Sequence, residues 1–171
     1  MKKLGYLTLA IVGLMSSNAI ADTATGSLTV KATVLKSCAV NTPANGTASN
    51  AVIDFGSLTS LSQNVDSSTT TAGGTKISVL CSNTTPWSIG FDNGKNASTS
   101  QRRMAGGTTE FIPYNLYTDT NRATPITAVA AYAGTGNGQV QTNDVYGRIP
   151  AGTALPSPGA YIDTVTMTVT Y

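Results

Sequence analysis

The run Tyr161-Ile-Asp-Thr-Val-Thr-Met-Thr-Val-Thr-Tyr171 alternates without a break. Val165, Met167, Val169 and Tyr171 fall on one face, and Thr164, Thr166, Thr168 and Thr170 fall on the other. A period of two is the mark of a strand with one buried face and one wet face. The chain ends inside this run, with no turn or closing strand after it. Near the other end, Leu28, Val30, Ala32 and Val34 alternate in the same way. An unfinished sheet at one end and a spare strand at the other lead to the expectation of a subunit completed by its neighbour, and so of one that polymerises.

Residues 1–21 read as an export signal rather than as structure. Lys2 and Lys3 open it, Leu4 to Leu14 form the apolar stretch, and Ala19-Ile20-Ala21 is a small-x-small cleavage site. A retained anchor is the competing reading, but the apolar run is short for a span and no second run of ~18 apolar residues follows. Cleavage would leave 150 residues from Asp22, the length of one domain. Eight of the ten basic residues then face eight acidic ones, so the mature chain is formally neutral. No basic patch with interleaved aromatics exists, and no nucleic-acid partner is expected. The mature chain carries 27 Thr and 14 Ser. That composition suits exposed sheet faces, and the regular alternation argues against a disordered stalk.

Cys38 and Cys81 are the only cysteines. In an exported chain an even count favours a disulfide, worth about 4 kcal/mol for a loop of this span by the loop-entropy model. Two free thiols are the alternative; a metal site is weaker, since the chain has no histidine.

Strand signals recur along the chain. Ala51–Phe55, Thr75–Cys81, Trp87–Phe91, Glu110–Tyr117, Ile126–Tyr132 and Val145–Ile149 read as strands. The stretches 41–50, 57–74 and 95–109 read as polar loops, and Asp92-Asn93-Gly94 as a turn. Pro113 places its strand at an edge or at a bulge. No stretch has sustained helical periodicity with caps, so the expected class is an all-β sandwich.

Candidate chemistry is thin. The absence of histidine removes Ser-His-Asp and Cys-His catalysis. Asp54, Asp92, Glu110, Asp119, Asp144 and Asp163 sit mostly at strand ends and turns, where carboxylates cap backbone groups. Gly134, Gly136 and Gly138 lack the following helix a phosphate loop needs, and read as a turn. Arg102 and Arg103 read as a solvated loop pair rather than an anion site, and Trp87, alternating with Ile89 and Phe91, as core rather than sugar platform. Asn45, Asn83 and Asn96 begin glycosylation sequons of little weight in so Ser- and Thr-rich a chain. No catalytic residue, metal site or cofactor is expected.

Several landmarks in order form a pattern: Ile53-Asp-Phe-Gly56, Ile77-Ser-Val-Leu-Cys81, Ile89-Gly-Phe-Asp-Asn-Gly94, Tyr114-Asn-Leu-Tyr-Thr-Asp119, Tyr146-Gly-Arg-Ile-Pro150 and Gly159-Ala-Tyr-Ile-Asp-Thr-Val165. From about residue 26 to Tyr171 this set resembles the spore coat protein U domain family, which includes the pilin subunits of archaic chaperone–usher pili such as Csu biofilm pili. The resemblance implies an incomplete immunoglobulin-like β-sandwich completed by a donor strand from a neighbouring subunit. It implies a signal at 1–21, a donor segment at 22–36 and a pilin domain at 37–171. Leu28, Val30, Ala32 and Val34 would face the groove, and Val165, Met167, Val169 and Tyr171 would form its rim. Cys38 and Cys81 match the family's paired cysteines. The implied partners are identical or related pilin subunits, a periplasmic chaperone and an outer-membrane usher, with export through the periplasm into a surface fibre serving attachment and biofilm formation. Tip adhesins carry a further binding domain that has no counterpart here, so a shaft or minor subunit fits better. A monomeric adhesin or lectin-like domain and a spore or outer-coat structural protein are the alternatives.

Overall fold

Alternating apolar residues need a partner surface, and in a computed structural model ten short strands among the described residues supply it. The structure describes residues 22–40, 50–107, 109–127 and 130–171. The expected signal at 1–21 and residues 41–49 of the first loop lie outside the described residues. The strands are β1 (Cys38–Val40), β2 (Val65–Ser68), β3 (Ile77–Cys81), β4 (Pro86–Phe91), β5 (Arg102–Gly106), β6 (Glu110–Tyr117), β7 (Ala130–Thr135), β8 (Val140–Asn143), β9 (Tyr146–Ile149) and β10 (Met167–Thr170). No helix occurs among the described residues, so the class is all-β.

Three antiparallel sheets form, in the orders β1-β3-β8, β10-β4-β7 and β2-β9-β6-β5. Each contributes its apolar face to one core. Ile77, Val79 and Cys81 come from β3, Trp87, Ile89 and Phe91 from β4, and Ile112, Tyr114 and Leu116 from β6, all buried at alternate positions. Trp87 is core, as its periodicity requires. Its ring lies so close to Gly134 that a Cβ there would be 2.6 Å from Cζ2, and its Nε1–H donates to Gln141 Oε1 at 3.3 Å. Truncating Ile89, which is fully enclosed, to Ala would cost about 2–5 kcal/mol.

Contacts divide the chain between Thr33 and Val34. Within the first unit, the described residues 22–33 carry no regular secondary structure and are exposed.

Several expectations are corrected. The stretch 57–74 is not loop throughout: it holds β2, whose Ser67 and Ser68 are buried. Arg102 and Arg103 are not a solvated loop pair but open the edge strand β5, and Arg102 is only 5% exposed. Its guanidinium satisfies otherwise orphaned backbone carbonyls, which repays its burial. Ala51–Phe55 makes a single bridge, Val52 to Thr75, instead of a full strand. The strand expected at Ile126–Tyr132 lies at β7, displaced toward the C-terminus. Pro113 sits inside β6, which has neighbours on both sides, but the β9 ladder covers only Asn115–Tyr117 and so asks no donor of the proline. The terminal run is a strand only at Met167–Thr170, because its first half crosses from one sheet to another.

A candidate strand-acceptor groove

The crossing at Tyr161–Thr166 forms one wall of a groove. Ile162 and Ala105 exchange both main-chain hydrogen bonds, at 2.9 and 3.0 Å. Lys95 N–H then donates to Thr164 O at 3.1 Å and Asp92 N–H to Thr166 O at 3.0 Å. From there β10 continues along β4, with Met167 opposite Phe91 and Val169 opposite Ile89. Even-numbered residues thus turn their main-chain groups toward the body of the domain. In an antiparallel ladder the odd-numbered ones must point the other way. The amides and carbonyls of Val165, Met167 and Val169 therefore line an edge, and β10 pairs only with β4 among the described residues.

A polar cluster holds that wall in place. Tyr114 Oη–H donates to Asp163 Oδ2 at 2.7 Å, and Asp163 Oδ1 accepts from Asn96 N–H at 3.2 Å and Asn96 Nδ2 at 3.1 Å. Asp92 Oδ1 accepts from Gly94 N–H and Thr166 N–H, both at 2.8 Å. Arg102 donates from Nε (3.0 Å) and Nη2 (2.6 Å) to Asp92 O, and from Nη1 to Ile126 O at 2.6 Å. Burial, then the bond to Asp163, pushes the Tyr114 hydroxyl far above its ordinary pKa, so it remains a donor at any physiological pH. Burial works against the charged Asp92 carboxylate, yet its bonds from Thr166 and Gly94 and the nearby Arg102 outweigh it and hold the pKa below the usual range. Gly94 has a φ of 81°, and a Cβ there would overlap the Asp163 carboxylate. Gly106 likewise leaves room for the Tyr161 ring, whose hydroxyl reaches Ser157 O (2.9 Å) and Glu110 Oε2 (3.1 Å).

Residues 50–55 form the opposite wall. Val52 and Thr75 exchange main-chain bonds at 3.1 and 2.9 Å, Ser67 Oγ–H donates to Asp54 O, and Phe55 lies against Gly147. Between the walls is a cavity of about 520 Å³ floored by Ile77, Phe91, Leu116 and Val145. Exposed Val52 and Ile162 flank its mouth. The site is thus an apolar trough beside a sheet edge that pairs with no further strand among the described residues, and these are the two features an incoming strand requires. Among the described residues its lining holds no lysine, arginine, histidine or cysteine. No group of three or more His, Cys, Asp or Glu that could hold a metal occurs among the described residues.

The four rim residues separate on this surface. Val165 and Met167 line the cavity, Val169 packs on the core beyond it, and Tyr171 is 59% exposed outside it. Leu28, Val30 and Val34 are 84–88% exposed, and Ala32 is exposed with them. Cys38 and Cys81 face each other across β1 and β3 and are joined as a disulfide. The wall at 50–55 and the groove roles of Tyr161, Asp163 and Met104 were not among the site residues read from sequence. The Ile53–Gly56 and Gly159–Val165 motifs were the available signal.

The model of the Spore Coat Protein U domain family matches residues 24–168. The chain belongs to that family. The spore coat protein U domain therefore spans nearly all the described residues, including the exposed segment from Ala24 and both walls of the groove. No curated protein matches the chain. Among solved structures, the chain is similar to one described as the CsuC–CsuE chaperone–tip adhesion subunit pre-assembly complex from archaic chaperone–usher Csu pili of Acinetobacter baumannii. Identity is 22% and the TM-score 0.49, over 81% of this chain and 40% of that one.

Proposed function

We propose that this chain is a structural pilin subunit that polymerises by donor-strand exchange. The observation that carries the proposal is the groove: an apolar floor, a sheet edge with no further strand partner among the described residues, and an exposed alternating segment of the same chain with the chemistry to fill it. Thr25–Leu35 and Tyr161–Tyr171 are each eleven residues, about 36 Å when extended. Leu28, Val30 and Val34 would each contribute about 1.5–3 kcal/mol on full burial, roughly 5–9 kcal/mol before entropy costs. A whole domain is stable by only about 5–15 kcal/mol, so an unfilled groove leaves the subunit marginal and adhesive. That instability is the physical reason for a periplasmic chaperone to cover the groove until an outer-membrane usher delivers the next donor.

On this reading residues 1–21 are the export signal, 22–36 the donor segment and 37–171 an incomplete immunoglobulin-like domain. Donor and groove are different surfaces, so the contact is head to tail and propagates into an open fibre. The fibre stands on the cell surface and serves attachment and biofilm formation. Membership of the spore coat protein U family supports the assignment, and the apolar trough beside β10 supports the mechanism. An unboiled, non-reducing SDS gel of the exported protein tests it. A ladder of multimers that collapses on boiling is expected. A single monomer band in both lanes would instead indicate a self-completed, monomeric surface-binding domain.

A further inference from the structure

The N-terminal segment leaves the folded body at a point gripped by one side chain. Ser82 follows β3 directly, and its N–H donates to Ser37 O at 2.9 Å. The Ser82 hydroxyl accepts from Ser37 N–H at 3.0 Å and lies 3.1 Å from Ser37 Oγ. It also reaches Leu35 O at 3.1 Å and Ser37 O at 3.3 Å. A hydroxyl has one proton and two lone pairs. Ser37 O is already served by the Ser82 amide, so the hydroxyl proton goes to Leu35 O and its lone pairs receive Ser37. One oxygen thus ties down two residues of the exit.

The frame behind Ser82 is rigid. Its carbonyl accepts from Thr85 N–H at 3.1 Å, closing the turn into β4. Gly136 accepts from Thr84 N–H at 2.8 Å and donates to Thr85 O at 2.7 Å, pinning that turn to the end of β7. A Cβ at Gly136 would overlap Ser82 O, so the approach depends on glycine. The Cys38–Cys81 disulfide joins the neighbouring pair, one residue after Ser37 and one before Ser82.

We infer that Ser82 is a positioning residue for the joint between successive subunits, an inference that rests on the donor-strand reading above. With Leu28–Val34 seated in a neighbour's groove, a clamp at Leu35 leaves no free residue between the seated strand and the folded body. Without the hydroxyl, Leu35 and Lys36 would form a tether of about 7 Å about which neighbours pivot. Clamped, they transmit the direction of the β3–β4 turn into the next subunit. Ser82 lies outside the groove, so it sets the stiffness of the fibre and not the affinity of strand exchange.

Ser82→Ala removes the hydroxyl and leaves the Ser82 amide bond and the disulfide in place. Fibres sheared from the source cells and imaged by electron microscopy should show a persistence length at least about twofold shorter in Ser82→Ala, with the melting temperature of the subunit little changed and stiffness restored in Ser82→Thr. In the full chain, the Ser37 amide should exchange with solvent at least about tenfold faster in Ser82→Ala, a readout that does not require fibres. Equal stiffness, or equal Ser37 exchange, in wild type and Ser82→Ala overturns the clamp and leaves the assembly reading standing. A wild type that forms no fibres overturns the assembly reading, and this inference with it.

Discussion

Placing a carboxylate at Val30 is the most direct test of which face of the N-terminal segment meets the groove. Val30 is 84% exposed, so nearly its whole side chain is available for burial, worth about 1.5–3 kcal/mol. Among the described residues the groove lining offers no lysine or arginine to an incoming carboxylate; its charged members are Asp54 and Asp163, which repel one. Desolvating an ionised carboxylate without a partner costs several kcal/mol more. Val30→Asp should therefore weaken docking by at least about 4 kcal/mol, close to a thousandfold in affinity. Lys31 has the opposite parity, and Lys31→Asp keeps its charge in water, with an effect within about threefold. Synthetic peptides of residues 22–36 carrying each change, competing for the subunit released from its chaperone, give the affinities. Unboiled gels of the corresponding full-length variants give the assembly. A Val30→Asp peptide within tenfold of wild type, or a Lys31→Asp peptide equally impaired, refutes the assignment of faces.

Arg102→Met leaves the buried carbonyl of Ile126 and the partly buried carbonyl of Asp92 without their donor, and should destabilise the domain by about 1–3 kcal/mol in urea titrations followed by Trp87 fluorescence. A loss below about 1 kcal/mol would show that water replaces the guanidinium. Asp92 has a depressed folded pKa, so its contribution is present above the unfolded carboxylate value near 4 and is lost as pH falls through the folded value. Wild type should lose stability more steeply than Asp92→Asn as pH falls below about 4, and parallel curves would exclude this group as the cause. Replacing both Cys38 and Cys81 by Ser opens a loop of sequence separation 43 and should cost about 4 kcal/mol by denaturant midpoint. An unchanged midpoint would place the value of the bridge elsewhere than in the unfolded state.

The faces of the central strands are legible from alternation, because each residue's burial there depends on its immediate neighbours in the chain. Ile77, Val79 and Cys81, or Trp87, Ile89 and Phe91, declare the inward side of their strands with no knowledge of a partner. The same logic exposed the matching pattern of Leu28–Val34 and the Asp92-Asn93-Gly94 turn. The Ile53–Gly56 and Gly159–Val165 motifs fall on the two walls of the groove, but nothing in the motifs says that they face each other. Alternation could not say where the terminal run would change partners. Ile162 bonds to Ala105 in one sheet and Met167 pairs with Phe91 in another, a switch encoded by Asp92, Asn96 and Tyr114 far back in the chain. Nor could composition mark Arg102 as buried, since its reason is a pair of carbonyls 10 and 24 positions away. A strand's face is a local property of periodicity, whereas a groove is the space between edges. Which edges stay open is settled only when distant segments have paired.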